Sequence, residues 1–436
     1  MPVQSDLKVH PKMELEAGQA GKVAVDNEAP NKQDDHIPVA PPSKLNLAAS
    51  YLISILCGTL WGFVFEKSRV FEVRSIRGQM VFERWVMLKM FMGAMGLSAF
   101  ALSYTAAMKP KEFEKLREKF KDECDRSVLR ATTLGAFLLG VGMSLASACP
   151  GMVLAQIGAG QKNSLFTVAG GIFGGFVYGA LEPTIKSTLI RPPNSYVFPR
   201  EKRFVDEYLN VSPSKTPLLI FFLGIFALCF SGVLEIVSPF DSIPEETDVA
   251  NDCSNVFECR GWPPSIPGVI LGSLQFLLIP FLGSCMGSAT AFQSLVALPF
   301  LLTTTPTKRE ELKKSDSTWL SYLVKYTPDR LSTQWQLLYC GFCCVGAYIS
   351  STLSETYGTS PGLSPIECFL GGVLMLFGSR LAAGCTSWHG ISGFPILLNT
   401  SWVAVPAMFG GGIVSAFILQ AVQGDGFYPA YDDELM

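Results

Sequence analysis

The chain alternates between long apolar runs and short polar connections. Residues 46–65 form a run of twenty residues without a charge, which is about the length that a helix needs to cross a bilayer. Similar runs predict further membrane-spanning helices at 85–107, 128–148, 164–181, 217–237, 335–354, 364–384 and 401–423. The pattern therefore predicts an all-α polytopic membrane protein.

One region, residues 261–307, is too long for a single helix, because its 47 residues carry no charge at all. Pro280, Gly283, Gly287 and Pro299 interrupt it. Non-helical backbone at membrane depth is tolerated only where protein or a water-filled cavity surrounds it. We therefore expect one span followed by broken or re-entrant helical pieces, which brings the total to about nine membrane-spanning helices.

The charged residues lie in the connections. They make up only 16% of the chain, whereas soluble domains have about 25%. The loops 108–127, 182–216 and 305–333 are basic, and the loop 238–265 is acidic. Since basic loops stay in the cytoplasm, we expect the N-terminus inside and the C-terminus outside.

Two segments of the chain resemble each other around a cysteine. Residues 135–151 read GAFLLGVGMSLASACPG, and residues 371–387 read GGVLMLFGSRLAAGCTS, so Cys149 aligns with Cys385. The predicted topology gives the two copies opposite orientations. Inverted repeats with broken helices that meet near the midplane are the architecture of many secondary transporters. We therefore expect the two cysteines to face each other across a pseudo-two-fold axis, on a central pathway.

The repeat and the polar segments together predict five parts. They are a disordered tail at 1–44, a first transmembrane repeat with its linking helix at 45–237, a polar extracytoplasmic loop at 238–265, a second transmembrane repeat at 266–424 and an acidic tail at 425–436. The first tail has too few apolar residues to offset the entropy of ordering. In the polar loop, Cys253 and Cys259 are candidates for a disulfide if it faces an oxidising compartment.

The cysteine segments carry a family resemblance. The stretch GSRLAAGCTSWHGISG (378–393) resembles the signature of the YeeE/YedE sulfur-transport family, and GVGMSLASACPGMVLAQIGAG (140–160) resembles the partner motif of the first half. The resemblance implies a non-enzymatic membrane permease for thiosulfate or a related small sulfur anion. It also implies that Cys149 and Cys385 are substrate-relay thiols on short helices that line a narrow path.

The chain departs from the family pattern at two places. Trp388 stands where the family often has glycine, and Phe71 occupies the position of a third cysteine in the first half. Cys285 stands at the corresponding place of the second half and is a candidate substitute. These departures leave the choice of sulfur substrate open.

The residue types fit an anion path. An anion in a low-dielectric barrier needs donors that replace its water, and the first N–H groups of a short helix are such donors. Each cysteine follows a helix and precedes a turn-prone stretch, so we expect each to cap a new short helix. Gly151, Gly384 and Ser387 belong to the same candidate site. A neutral thiol is a weak donor that suits a soft sulfur atom.

Two further side chains in the second motif are candidates for binding. Arg380 lies in an apolar run, where an ionised group is by default a functional hypothesis; its alternative is a structural partner for a carbonyl or for an acid such as Glu367. His389 is the one histidine outside the N-terminal tail. It is either a substrate contact or an orienting histidine whose ring is satisfied by the protein.

Other functions remain open. A membrane-embedded sulfur transferase would use Cys385 as a persulfide nucleophile and His389 as its base. A redox sensor and a permease for another soft anion, such as a selenium compound, are further alternatives. No nucleotide motif, nucleic-acid-binding patch or zinc pattern predicts a cofactor, a metal or a nucleic-acid partner. The expected partners are the sulfur anion, the lipid bilayer (that of the plasma membrane) and an unknown cytosolic protein of sulfur metabolism.

Overall fold

The computed structural model describes residues 44–125, 129–190, 202–240, 255–314, 319–327 and 331–429, and these residues are mostly helical. The α-helices are α1 (Lys44–Lys67), α2 (Val73–Met80), α3 (Val86–Met108), α4 (Pro110–Asp125), α5 (Leu129–Ala146), α6 (Met152–Gly158), α7 (Ser164–Ile185), α8 (Val205–Tyr208), α9 (Thr216–Val237), α10 (Ser265–Ser273), α11 (Gln275–Leu282), α12 (Ala289–Thr303), α13 (Pro306–Lys314), α14 (Trp319–Lys325), α15 (Leu331–Leu353), α16 (Pro365–Leu381) and α17 (Asn399–Gln423). Residues Lys186–Ile190 and Ser387–Gly393 are π-helical, and Gly424–Phe427 form a 3₁₀ turn.

Eight helical segments in the described ranges are long and apolar enough to cross a membrane. They correspond to eight of the predicted spans, and the prediction of a polytopic all-α membrane protein is confirmed. The ninth predicted span is α16, which has 17 residues. Its N-terminus is fixed by a capping box, in which the Ser364 hydroxyl accepts from the Glu367 N–H and the Glu367 carboxylate accepts from the Ser364 N–H.

The uncharged region 261–307 is divided as its prolines and glycines predict. The helices α10 and α11 together form one span of 18 residues, and α11 ends at Gly283, whose φ of +56° is a left-handed conformation. A segment without regular secondary structure then leads to the shorter helix α12, which has 15 residues. The prediction of a span followed by broken helical pieces is confirmed.

The two halves pack as an inverted repeat. At the centre, α5 lies against α16: a Cβ added at Gly135 would lie 2.7 Å from the carbonyl oxygen of Gly378, and one at Gly142 would lie 2.7 Å from that of Gly371. The partners run in opposite order along the two helices, so these helices are antiparallel. The remaining pairs also match, because α1 packs on α15 as α10 packs on α3, and α17 packs on α5 as α7 packs on α16.

The amphipathic helix α4 packs against α3. Its apolar side chains Phe113, Leu116 and Phe120 are buried although the rest of the helix is rich in charge. Arg117 of this helix donates two hydrogen bonds to the carboxylate of Asp206, with N···O distances of 3.0 and 2.8 Å. This bidentate contact attaches α4 to the connection before α9.

The predicted domain boundaries remain predictions. Residues 1–43 of the N-terminal tail, 241–254 of the polar loop and 430–436 of the C-terminal tail lie outside the described residues. Cys253 lies among them, so its disulfide with Cys259 also remains a prediction.

Candidate functional site

Two breaks in the helices position the duplicated cysteines. After α5 the chain turns at Ser147, with φ of 46°, and after α16 it turns at Ala383, with φ of 61°. These two residues are 236 positions apart, as are Cys149 and Cys385. A left-handed residue other than glycine is uncommon, so its occurrence at matching positions indicates that both copies fold along the same path. Each cysteine then lies two residues after the turn.

Cys149 lies three residues before Met152, the first residue of α6. Its Sγ accepts a hydrogen bond from the N–H of Met152 at 3.4 Å, and its side chain also contacts that of Thr386. Since Thr386 directly follows Cys385, the first break meets the second at this point. The side chain of Cys149 is 8% exposed.

Cys385 has two hydroxyl groups beside it. Its Sγ lies 3.2 Å from Oγ of Ser387 and 3.7 Å from Oγ of Ser288. Gly151 lies between this group and α1, because a Cβ added there would be 2.4 Å from Cζ2 of Trp61 and 3.4 Å from Oγ of Ser288. The structure thus brings the predicted residues Cys149, Cys385, Gly151 and Ser387 together, and it adds Ser288, which no sequence motif indicated.

A mostly apolar cavity of about 760 Å³ reaches this group from one side. Six methionines line it together with aliphatic and aromatic side chains and Cys149. We call it the apolar cavity, and its lining is Trp61, Phe65, Val70, Met80, Met87, Met90, Phe91, Ala94, Met143, Cys149, Gly151, Met152, Leu271, Thr386, Ser387, Ile391, Val405, Met408 and Phe409.

A second cavity of about 580 Å³ contains Cys385 and has polar and charged walls. We call it the polar cavity, and its lining is Leu116, Lys119, Phe120, Glu123, Ser284, Cys285, Gly287, Ala289, Thr290, Gln336, Arg380, Ala383, Gly384, Cys385 and Trp388. Gly384 and Cys385 line the polar cavity, and Thr386 and Ser387 line the apolar cavity. The second break therefore lies between the two cavities.

The helix α4 closes part of the polar cavity. The ring of Phe120 stacks on Trp388, with centroids 4.6 Å apart. Next to it, Lys119 donates a hydrogen bond from Nζ to the carbonyl of Gly283 at 2.6 Å. Trp388 also packs on the break itself, since a Cβ added at Gly384 would lie 2.5 Å from its ring. Gly384 is therefore required by this close contact.

His389 is fully buried, and the protein satisfies both of its ring nitrogens. Its Nε2 lies 3.1 Å from the carbonyl oxygen of Ala382 and its Nδ1 lies 3.0 Å from Oγ of Ser401. Because a carbonyl only accepts, Nε2 carries the proton, and Nδ1 accepts from the Ser401 hydroxyl. This geometry corresponds to the orienting histidine of the two sequence-based alternatives.

Arg380 lies at the edge of the polar cavity beside two tyrosines. Its Nε donates to the Tyr322 hydroxyl at 2.9 Å, and a terminal nitrogen donates to the Tyr326 hydroxyl. The acid suggested as its partner, Glu367, instead pairs with Arg77 at 2.8 Å. The reason is that Arg380 and Glu367 lie more than three turns apart on α16, while α2 brings Arg77 to the N-terminal end of that helix.

Arg77 and Gln156 hold the first break, and sequence motifs gave neither a role. The fully buried guanidinium of Arg77 donates to the carbonyls of Ser144 and Leu145 at the end of α5. Gln156 donates from Nε2 to the carbonyl of Ser147 at 2.8 Å. In the sequence, Arg77 is one of three arginines in the short polar stretch 69–77 that follows the first predicted span.

The third cysteine position differs between the halves. Cys285 is buried and lines the polar cavity with Cys385. Phe71, at the corresponding place in the first half, is also buried, and its carbonyl accepts from Gln156. The apolar cavity accordingly has one cysteine in its lining and the polar cavity has two.

Comparison with known proteins decides the family. The family model described as sulphur transport matches residues 67–414, which is most of the chain. The chain belongs to the sulphur transport family. The resemblance to the YeeE/YedE family is thereby confirmed, and the protein is an integral, multi-pass membrane transporter of sulfur compounds. No curated protein matches the chain.

Proposed function

We propose that the protein is a permease for thiosulfate or a related small sulfur anion, which passes between the two cavities beside Cys149 and Cys385. The observation that carries the proposal is that Cys149 lines the apolar cavity, Cys385 lines the polar cavity, and Cys149 contacts Thr386, the residue that follows Cys385. The polar cavity has two cations, Lys119 and Arg380, and one acid, Glu123, in its lining, so positive charge is in excess on that side. The thiols supply the contact to a soft sulfur atom on the way to the other side.

The groups around the thiols are suited to an anion that has lost its water. Removing the hydration shell of an ion in a low-dielectric region is costly unless donors replace it. Ser288 and Ser387 offer hydroxyl groups beside Cys385, and the N–H of Met152 points to Cys149. A neutral thiol beside these donors attracts an anion, whereas a thiolate would repel it.

The sulfur-transferase alternative has less support. It needs a base beside Cys385, and His389 is the nearby histidine. Both ring nitrogens of His389 are engaged by Ala382 and Ser401, so the ring has no free lone pair for the thiol. Permeation needs no such base.

Uptake of sulfur-labelled thiosulfate into proteoliposomes tests the proposal. We expect uptake by the wild type, and a loss of at least about tenfold in Cys149→Ala and in Cys385→Ala, since each removes a group that replaces water. Cys229→Ala is the matched control, because Cys229 is an exposed cysteine on α9. Its uptake should equal that of the wild type.

The outcomes separate the alternatives. Absence of wild-type uptake above empty liposomes would refute a thiosulfate permease, and uptake of selenium compounds alone would identify the other soft-anion permease. Normal uptake in both site variants would refute the role of the thiols. Consumption of thiosulfate by the protein in detergent, without compartments, would favour the transferase.

A further inference from the structure

Two buried polar groups beside the thiols have no hydrogen-bond partner among the described residues. They are the indole Nε1–H of Trp61 and the hydroxyl of Tyr339. Trp61 is 1% exposed and Tyr339 is 0% exposed. A buried donor without a partner destabilises the fold, and such groups in a native protein call for an explanation. A ligand that accepts hydrogen bonds would provide one.

The two side chains act as a unit. Their rings stack with centroids 4.6 Å apart and planes at 15°. The stack is fixed by the close packing of α1 on α15, because a Cβ added at Gly58, one turn before Trp61, would lie 2.3 Å from the backbone oxygen of Tyr339. Both donors are therefore held on rigid helices and not on a loop.

The pair lies at the thiols. The Cζ2–Cη2 edge of Trp61, which adjoins Nε1, lies against the backbone of Gly151, two residues after Cys149. Trp61 lines the apolar cavity at this point. Tyr339 is held beside Trp61 at the same point, because its ring stacks on that of Trp61. The Trp61 donor is thus near Cys149, and the Tyr339 donor belongs to the ring stacked on it.

We infer that Trp61 and Tyr339 are substrate-binding residues that donate hydrogen bonds to oxygen atoms of the sulfur anion. This inference rests on the proposed function and narrows its substrate to sulfur oxyanions. Such an anion has a sulfur atom that the thiols contact and oxygen atoms that accept strong hydrogen bonds from N–H and O–H groups. An oxygen-free anion such as hydrosulfide has a single sulfur atom, which the thiols contact, and no oxygen atom for the two donors. The site therefore favours thiosulfate over hydrosulfide.

The test compares variants that remove one donor each. Tyr339→Phe deletes only the hydroxyl, and Trp61→Phe deletes the N–H while keeping an aromatic ring. The matched controls are Tyr348→Phe and Trp402→Phe. Tyr348 lies on α15 and Trp402 on α17, and both residues are exposed. In proteoliposomes we expect the KM for thiosulfate to rise about tenfold in each donor variant. The controls should stay within about twofold of the wild type.

Competition by hydrosulfide tests whether the two donors recognise the oxygen atoms of the anion. The Ki of hydrosulfide as a competitor should be unchanged in the donor variants, because hydrosulfide does not use the lost donors. An equal rise of the hydrosulfide Ki and the thiosulfate KM would overturn the inference, since it would indicate a packing defect. An unchanged KM with a higher melting temperature would also overturn it and would identify the two groups as structural imperfections.

The outcomes also separate this inference from the proposed function. Wild-type uptake of thiosulfate that is unaffected by both variants refutes only the role of the donors. Wild-type uptake of hydrosulfide without uptake of any oxyanion refutes the oxyanion selectivity while a sulfur-anion permease stands. No uptake of any sulfur anion refutes both.

Discussion

The break before Cys149 and the break before Cys385 share a left-handed turn, at Ser147 and at Ala383, but different side chains hold them. In the first half, Gln156 and the buried Arg77 donate to the carbonyls around the turn. In the second half, His389 donates to Ala382. The comparison indicates that the repeat preserves the backbone path and the thiol. The side chains that donate hydrogen bonds to the carbonyls at the break differ between the two halves.

The two cavities differ in the same way. The apolar cavity is lined by methionines and aromatic rings, and the polar cavity has Lys119, Glu123 and Arg380 in its walls. Two of these charges come from α4, which covers the polar cavity from one side. The difference in polarity therefore arises partly from α4, which lies outside the duplicated cysteine segments, and partly from Arg380, which the second segment has and the first lacks. The difference between the halves can be tested by comparing substitutions in one half with matched substitutions in the other.

The largest expected effect is that of Arg77→Met. The substitution leaves Glu367 and the carbonyls of Ser144 and Leu145 without their cation, and breaking a buried ion pair costs about 3–5 kcal/mol. Arg380→Met is the matched comparison, because its partners are neutral tyrosine hydroxyls, and we expect a smaller loss. Denaturation in detergent measures both free energies of unfolding. Equal losses would contradict the special role of Arg77 at the first break.

Gly411→Val should have the next largest effect. A Cβ at Gly411 would lie 2.1 Å from the carbonyl oxygen of Phe137 on α5, whereas one at Gly410 would meet no atom within 4 Å. Forcing α5 and α17 apart should cost about 3 kcal/mol, and Gly410→Val is the adjacent control. We expect the same loss for Gly170→Val at the corresponding interface of α7 with α16. A Cβ at Gly170 would lie 2.0 Å from the carbonyl oxygen of Phe369. A normal melting temperature for Gly411→Val would refute the close helix contact.

The spans, the interruptions in 261–307 and the paired cysteines could be predicted from the sequence. Run length, proline and glycine positions and a repeat are local properties that a single chain displays. The Trp61–Tyr339 stack could not be predicted, because its members are 278 residues apart and meet only when α1 packs on α15. The suggestion that Arg380 pairs with Glu367 was wrong for the same reason. Its guanidinium contacts the hydroxyl groups of Tyr322, on α14, and of Tyr326, just after α14.

His389→Ala and Gln156→Ala should have similar, intermediate effects. Each substitution removes the donor that satisfies a carbonyl at one of the two breaks, and an unpaired buried carbonyl costs about 1–3 kcal/mol. Melting temperatures in detergent measure the loss, and the uptake assay measures the activity of the protein that remains folded. If His389→Ala melted normally and still lost uptake, the histidine would be a substrate contact, which is the role that its geometry argues against.

The smallest expected effect is that of Phe120→Leu, which concerns access to the polar cavity. The stack of Phe120 on Trp388 is worth about 1 kcal/mol, so its loss should favour the separation of α4 from the break by about fivefold. Site-resolved alkylation of Cys385 by a small maleimide measures this opening. Phe226→Leu is the control, since Phe226 stacks on Phe230 on an exposed face of α9. Because Trp388 and Phe120 separate Cys385 from the α4 side, faster alkylation in Phe120→Leu alone would identify α4 as the wall that limits entry there. Equal rates in the wild type and in Phe120→Leu would instead place the limit at the break itself.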